Sequence, residues 1–121
     1  MKIPKNVLNK AIQIAKTSNV RRGKVGSVIF TTQGKIVTFA ANTSFFGDDE
    51  KFTIHAEEFA ILKLHRLRAK RFKKLNILVV RYRKCDGKIS MAKPCKKCGE
   101  LIGLFGLSAY YSNRQGDIVK F

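Results

Sequence analysis

Long apolar segments, cysteines and acidic residues are all scarce in this 121-residue chain. No apolar run is long enough to cross a bilayer as a helix, and the first residues lack the pattern of a secretory signal. Three cysteines are too few for a disulfide framework, so free thiols or metal ligands in a reducing compartment are expected. These absences predict a protein without a membrane segment that works in the cytoplasm or elsewhere inside the cell.

The shortage of acidic residues leaves a large positive charge. Only 8 Asp and Glu oppose 25 Lys and Arg, which gives a net charge of +17. Most of the basic residues lie in three stretches, residues 2–24, 63–74 and 81–97. Such a charge attracts polyanions, because each neutralised phosphate releases condensed counterions. A nucleic-acid partner is the leading interpretation, and a solvated basic surface without a partner is the alternative.

The pattern of apolar and turn residues indicates one α/β domain over residues 1–121, with the element order α-ββ-α-β-α-ββ. Predicted helices run from Pro4 to about Thr17, from Ile54 to about Lys70 and from Pro94 to about Phe105. Predicted strands cover residues 25–31, 35–41, 76–82, 107–112 and 117–121, and predicted loops cover 42–53 and 83–93. The last two strands must form an antiparallel hairpin, because parallel strands need a connection of about a dozen residues or more.

Three short motifs carry the strongest functional signal. His55-Ala56-Glu57 is followed by Pro94-Cys95 and then by Cys98. One imidazole and two thiolates suit Zn²⁺, and a catalytic zinc keeps its fourth position for water. The predicted helices place the ligands in first turns, where the helix dipole lowers the pKa of a thiol. The pattern H-x-E followed by P-C-x-x-C is typical of zinc-dependent nucleobase deaminases.

Through these motifs and the order of its elements, nearly the whole chain resembles the cytidine deaminase superfamily. The resemblance implies a three-layer α-β-α fold with a central five-stranded mixed sheet. It also implies one Zn²⁺ per chain, held by His55, Cys95 and Cys98, that activates a water molecule to attack the ring carbon bearing the amino group. Glu57 is implied as the general acid and base that moves the protons.

The resemblance extends to several candidate substrate contacts. Asn42, after the second strand, matches a position where the family has an Asn in its pocket, and turn chemistry is the alternative. The backbone N–H of Ala56 is implied as the donor to the carbonyl of the base. Four further candidates are Phe45, Phe46, Lys93 and Tyr111. The phenylalanines are candidates for stacking on a base, with packing as the alternative, and the lysine brings positive charge to the rim.

Three functions stay open from the sequence. The leading one is hydrolytic deamination of cytosine to uracil in single-stranded DNA or RNA. Deamination of free cytidine, deoxycytidine or dCMP is the alternative. The C-terminal hairpin resembles that of free-cytidine enzymes, whereas those enzymes usually have Cys where this chain has His55. The third is a non-catalytic, zinc-stabilised nucleic-acid-binding module with Cys85 as a fourth ligand. The expected partners are a cytosine-containing substrate, single-stranded nucleic acid and possible further copies in a homo-oligomer.

Overall fold

The structure, a computed structural model, describes residues 2–21, 23–45, 53–67 and 74–121. Within these residues the chain forms three helices, α1 (Lys5–Lys16), α2 (Ala56–Leu67) and α3 (Lys96–Leu104). It also forms eight strands there, β1 (Lys24–Thr31), β2 (Ile36–Ala41), β3 (Thr43–Ser44), β4 (Thr53–Ile54), β5 (Leu75–Tyr82), β6 (Ile89–Ser90), β7 (Ser108–Ser112) and β8 (Ile118–Lys120). None of the helices in this described part is long and apolar enough to span a membrane.

The main strands form one mixed sheet in the order β2-β1-β5-β7-β8. The central strand β5 pairs antiparallel with β1 and parallel with β7, and α3 lies in the connection between the two parallel strands. The final pair, β7 and β8, is antiparallel, as its short loop predicts. The predicted five-stranded mixed sheet is confirmed, and the short β6 is added beside the end of β5.

Helices cover both faces of the sheet. Leu78 and Val80 of β5 pack with α1, whereas Ile77 and Val79 pack with α2 and α3. This division follows from the strand itself, since successive side chains of a β-strand point to opposite faces. All four side chains are buried, and full burial of such a side chain contributes about 1.5–3 kcal/mol to stability. The predicted three-layer α-β-α fold is therefore confirmed.

The second helix begins later than its apolar pattern predicts. The short strands β3 and β4 pair antiparallel with each other, so α2 begins at Ala56 and not at Ile54. His55 is the residue just before the helix, and its carbonyl accepts a hydrogen bond from the N–H of Phe59 at 3.0 Å. The strand pairing therefore ends immediately before the first predicted metal ligand.

The third helix also begins later than predicted. The sequence places Pro94 at the first helical position, but Cys95 takes the capping position with an extended backbone and α3 begins at Lys96. The carbonyl of Cys95 accepts a hydrogen bond from the N–H of Gly99 at 2.8 Å. His55 and Cys95 thus occupy the same position in the two helices, one residue before the first turn.

Some predicted features lie outside the described residues. The candidate Phe46 is one of them, as is the predicted end of the second helix near Lys70. The basic residues outside the described ranges are Arg22, Lys51, Arg68, Lys70, Arg71 and Lys73.

Candidate active site

Three side chains converge at the starts of α2 and α3. Nδ1 of His55 lies 3.3 Å from Sγ of Cys98 and 3.7 Å from Sγ of Cys95, and the three ligand atoms lie within 4.8 Å of one another. Tetrahedral zinc, with Zn–S bonds of about 2.3 Å and a Zn–N bond of about 2.1 Å, places its nitrogen and sulfur ligands roughly 3.6 Å apart. The measured distances lie on either side of that value. The donor set and its spacing fit Zn²⁺.

The local fold explains why these ligands meet. Cys95 and Cys98 are three residues apart at the start of α3, so their sulfurs share one side of the helix. His55 precedes α2, which lies beside α3 on the same face of the sheet. Lys97 joins the two helices next to the ligands through an ion pair with Glu58, with 3.0 Å between nitrogen and oxygen.

The two thiols differ in their surroundings. Cys98 is only 1% exposed, whereas Cys95 is exposed. Burial raises the pKa of the Cys98 thiol, and the negative charge of Glu57 adds to the rise. This direction is opposite to the lowering expected from the helix start alone. Since zinc binds the thiolate, metal binding at this site must release the proton of Cys98.

Glu57 lies in the first turn of α2 and is 5% exposed. Burial raises the pKa of its carboxyl group and outweighs the opposing effects of its own backbone and of His55. The carboxyl group therefore holds a proton at higher pH than a solvated glutamate does. Proton transfer is most efficient when the pKa of the acid lies near the working pH, so this environment suits a general acid and base.

A cavity of about 270 Å³ lies in front of the ligands. His55, Glu57 and Cys95 line it together with three of the predicted substrate contacts, Asn42, Ala56 and Lys93. The other lining residues are Gly23, Val25, Arg81, Met91 and Ala92. The structure thus brings together most of the residues that the sequence motifs select, at a site where β1, β5 and the two helix starts meet.

The side chain of Asn42 is buried and fixed by several hydrogen bonds. Its Oδ1 accepts from the N–H of Val25 at 2.9 Å and from the hydroxyl of Ser18 at 2.6 Å. Its Nδ2 donates to the carbonyl of Gly23 at 2.7 Å. These bonds join Asn42 to a distant segment and not to its own turn, and they hold Gly23 and Val25 in the cavity wall. Its contact with substrate stays a prediction.

Ala56 and Lys93 line the cavity in different ways. Ala56 is the first residue of α2, so its N–H has no acceptor within the helix. Its carbonyl accepts a hydrogen bond from Oγ of Ser27 at 2.7 Å, which fixes the helix start against β1. Lys93 is exposed and places a cationic side chain at the opening.

Phe45 and Tyr111 do not line the cavity within the described part of the chain. Phe45 is 59% exposed and lines a separate apolar groove beside α2 and α3. Tyr111 is partly buried against the core, with its ring edge-to-face with Phe121 at 6.3 Å between centroids. Their contacts with substrate stay predictions.

Arg81 is a charged lining residue that the sequence motifs do not single out. It lies near the end of β5, and a Cβ at Gly23 would be 3.6 Å from the Cζ of its guanidinium group. One signal is present in the sequence, since Arg81 is the first charged residue after the buried apolar run of the central strand. A charged side chain directly after a buried central strand is therefore a candidate for a binding site.

Cys85, the candidate fourth ligand of a closed metal site, lies elsewhere. It is exposed, and its Sγ lies 3.8 Å from a guanidinium nitrogen of Arg83. Within the described residues, the group that can hold a metal contains His55, Cys95 and Cys98 without Cys85. The geometry therefore favours three protein ligands and an open fourth position, as in catalytic zinc sites.

Comparisons with known proteins agree with this geometry. The model of the family "cytidine and deoxycytidylate deaminase zinc-binding region" matches residues 1–112. The dCMP deaminase of cyanophage S-TIM5 in apo form is 23% identical, with a TM-score of 0.71 over 94% of this chain and 86% of that one. Cytidine deaminase from Burkholderia pseudomallei is 18% identical, with a TM-score of 0.65 over 96% and 89% of the two chains. No curated protein sequence matches.

A larger enzyme shares the same fold over part of its length. The diaminohydroxyphosphoribosylaminopyrimidine deaminase/5-amino-6-(5-phosphoribosylamino)uracil reductase from Thermotoga maritima is 20% identical, with a TM-score of 0.61. The similarity covers 90% of this chain and 29% of that one. At these identities the solved structures establish the shared fold, whereas the family match covers most of the sequence.

Proposed function

The chain belongs to the cytidine and deoxycytidylate deaminases, a family of zinc-dependent hydrolases, and we propose that it converts cytosine to uracil in single-stranded nucleic acid. One observation carries the chemistry: His55, Cys95 and Cys98 lie within reach of one ion, and the buried Glu57 lines the cavity in front of them. A metal site and a proton carrier are therefore adjacent, as hydrolytic deamination requires.

His55, Cys95 and Cys98 are the residues that would hold the zinc ion, which when bound supplies Lewis-acid activation of a water molecule. Nδ1 of His55 is the imidazole atom that faces both sulfurs. The first N–H groups of α3 have no acceptor within the helix, and the positive end of the helix dipole there favours negative charge on nearby groups.

Glu57 is proposed as the group that moves the protons. Its carboxylate takes a proton from the attacking water and gives it to the ring nitrogen beside the reacting carbon. It then carries the second proton of the water to the departing amino group, which leaves as ammonia. A carbon–oxygen bond thus replaces a carbon–nitrogen bond, and Glu57 ends in its starting state.

Three lining groups are proposed to hold the base. The N–H of Ala56 donates to the carbonyl of the pyrimidine, since the helix provides no acceptor for it. Asn42 has a second hydrogen on Nδ2 besides the one that Gly23 accepts, and this hydrogen is assigned to the substrate. Lys93 is assigned to a phosphate at the opening of the cavity.

Size and charge support a single-stranded polymer. The cavity of about 270 Å³ is below the usual range of about 300–1,000 Å³ for ligand sites, so it suits one base and not a base pair. A base inside a duplex must be unstacked before it can enter such a cavity. The net charge of +17 and the cations Arg81 and Lys93 in the lining favour a substrate with many phosphates.

A free nucleoside or nucleotide is the second candidate substrate. Two solved structures with the same fold are named as a dCMP deaminase and a cytidine deaminase. The antiparallel hairpin of β7 and β8 also resembles the C-terminal hairpin of free-cytidine enzymes. Deamination of either substrate would use the same zinc ligands and the same glutamate.

The test is a comparison of substrates with purified, zinc-loaded protein. Cytidine, deoxycytidine, dCMP and single-stranded DNA and RNA oligonucleotides with one cytosine are incubated with it, and uracil is measured. We expect uracil in an oligonucleotide, at a rate that falls steeply with salt because phosphate contacts are screened. Rapid conversion of nucleosides with none of the oligonucleotides would overturn the polymer substrate and leave the deaminase chemistry in place.

A further inference from the structure

A second cavity adjoins the cavity at the zinc ligands. It has a volume of about 510 Å³ and lies where β1 begins and β5 ends. Gly23 and Arg81 line both cavities, so they form a boundary that the two cavities share. Groups of one ligand that occupy the two cavities would therefore lie on either side of Arg81.

The lining of this second cavity is strongly cationic. Five of its residues carry positive charge: Arg21, Lys24, Arg81, Arg83 and Lys84. None of its described lining residues is acidic. Asp86 forms an ion pair with Arg83 at 3.4 Å but does not itself line the cavity. Like charges in one concave surface repel each other, and a bound anion relieves that repulsion.

The strand pairing fixes the backbone of two of these cations, Lys24 and Arg81. Lys24 pairs with Tyr82, and Val25 pairs with Arg81, in the central antiparallel ladder of the sheet. Because side chains alternate along a strand, Arg81 points to the same face as Val79, which is the face that carries α2 and α3. Arg81 therefore extends from a rigid strand toward the boundary that the two cavities share.

Gly23 lets the backbone pass close to Arg81 at this boundary. Its φ of +74° lies in the left-handed region that favours glycine. A Cβ at this position would point at the guanidinium group of Arg81, 3.6 Å from its Cζ. A side chain larger than a methyl group would therefore press on the guanidinium group that both cavities share.

We propose that the basic cavity binds a phosphate group of the nucleotide strand whose cytosine enters the zinc cavity, with Arg81 in contact with both parts of the substrate. This subsite rests on the proposed function, because the base must be in the zinc cavity for the two sites to share a ligand. Guanidinium groups bind phosphate oxygens with paired hydrogen bonds, and the neighbouring lysines add charge. The subsite distinguishes phosphorylated substrates from free nucleosides.

The test uses charge reversal of residues that line the basic cavity only. The variant Arg83→Glu with Lys84→Glu changes two exposed residues outside the zinc cavity. The control, Arg114→Glu with Lys120→Glu, changes the net charge equally at exposed positions that line neither cavity. For each protein, kcat/KM is measured with cytidine, dCMP and an oligonucleotide that contains one cytosine.

We expect the Arg83/Lys84 variant to lose roughly tenfold or more in kcat/KM with a phosphorylated substrate, since bonds to charged groups are strong. Its kcat/KM with cytidine and its zinc content stay unchanged. In a Glu57→Gln background, fluorescence anisotropy of a labelled oligonucleotide measures binding without turnover. In this background, the Arg83/Lys84 variant loses two phosphate contacts. The slope of the logarithm of its oligonucleotide affinity against the logarithm of the salt concentration should therefore be smaller in magnitude by about 1.4.

The pattern of losses identifies the source of the phosphate. A loss with both dCMP and the oligonucleotide assigns the cavity to the phosphate of the target nucleotide, and a loss with the oligonucleotide alone assigns it to a flanking one. Equal effects of the variant and its control on every substrate overturn the subsite. If charge reversal impairs folding, the test is repeated with Arg83→Gln and Lys84→Gln.

Failure of the proposed function gives a different result. If the unmodified protein deaminates dCMP but no oligonucleotide, the polymer substrate is wrong, whereas a selective loss with dCMP in the Arg83/Lys84 variant still supports the subsite. If no substrate is deaminated, the anisotropy measurement alone decides. Oligonucleotide binding that weakens equally in the variant and the control then contradicts the phosphate site.

Discussion

The two faces of the sheet are both covered by helices, but they differ in how completely they are closed. On the α1 face, a Cβ at Gly26 would lie only 2.4 Å from the carbonyl oxygen of Ala11, so strand and helix touch through their backbones. On the opposite face, the starts of α2 and α3 leave a cavity lined by His55, Glu57 and Cys95. Both faces bury core side chains, but the candidate metal ligands lie on one of them, so changes at Gly26 and at the ligands should have separable effects.

The largest effect is expected from the loss of a buried metal ligand. Cys98→Ser removes a sulfur that lies 3.3 Å from Nδ1 of His55, so bound zinc and deaminase activity should both fall to background. Cys85→Ser is the matched control, because Cys85 lies outside the ligand group. Zinc is measured by elemental analysis after dialysis. Equal zinc content in both variants would contradict the assignment of Cys98.

Replacement of the proton carrier should separate metal binding from turnover. Glu57→Gln keeps the size of the side chain but removes its ability to exchange protons, so the rate should fall roughly 100- to 10,000-fold while zinc stays bound. Glu100→Gln, on the exposed side of α3, is the control and should retain full activity. A Glu57→Gln protein with more than about a tenth of the normal rate would show that another group carries the proton.

A change on the α1 face should lower the stability of the protein without affecting zinc binding. Gly26→Ala forces a methyl group against the backbone of Ala11 and Ala15, where it would lie 2.4 Å and 2.6 Å from backbone atoms. We expect a loss of about 1–3 kcal/mol in the free energy of unfolding, with zinc binding by the folded protein unchanged. Gly103→Ala is the matched control, since a Cβ added at Gly103 would have no atom of the described residues within 4 Å. Urea denaturation measures both variants, and equal stabilities would contradict the close contact.

The smallest effect is expected from the ion pair that joins the two helices at the site. Lys97→Gln removes the partner of Glu58, but the lysine is well exposed and its charge is screened by water and salt. The midpoint of thermal unfolding should fall by less than it does for Gly26→Ala, and zinc should stay bound. A loss of zinc in Lys97→Gln would show that the ion pair, and not packing, holds the ligands together.

The grouping of the three candidate metal ligands was predictable because their signal is local. The cysteines lie three residues apart at a helix start, and His55 and Glu57 flank the first residue of another helix. The main strands were predictable for a similar reason, since β-branched runs and short turns define them within a few residues. The hairpin of β7 and β8 followed from the length of its loop alone.

The rest of the site depends on contacts between distant segments. Arg81 lies beside Gly23 because β5 pairs with β1, and this pairing joins segments that are far apart in the sequence. Asn42 is a candidate from the sequence, but its hydrogen bonds to Gly23 and Val25 appear only in the folded chain. The direction of the pKa shift of Cys98 is not predictable from the helix start either, because it depends on burial by neighbouring elements.

The most direct test of hydrolysis at the zinc cavity is the mass of the product formed in oxygen-18 water. A cytosine-containing oligonucleotide, cytidine and dCMP are each incubated with zinc-loaded protein and analysed by mass spectrometry. Because the amino group is replaced by an oxygen from water, the product should be heavier by about 1 Da in ordinary water and by about 3 Da in the labelled solvent. In the same time, Glu57→Gln should form no more than about a hundredth as much of either product. Fully zinc-loaded protein that leaves all three masses unchanged would contradict the assignment of the cavity as a deaminase site.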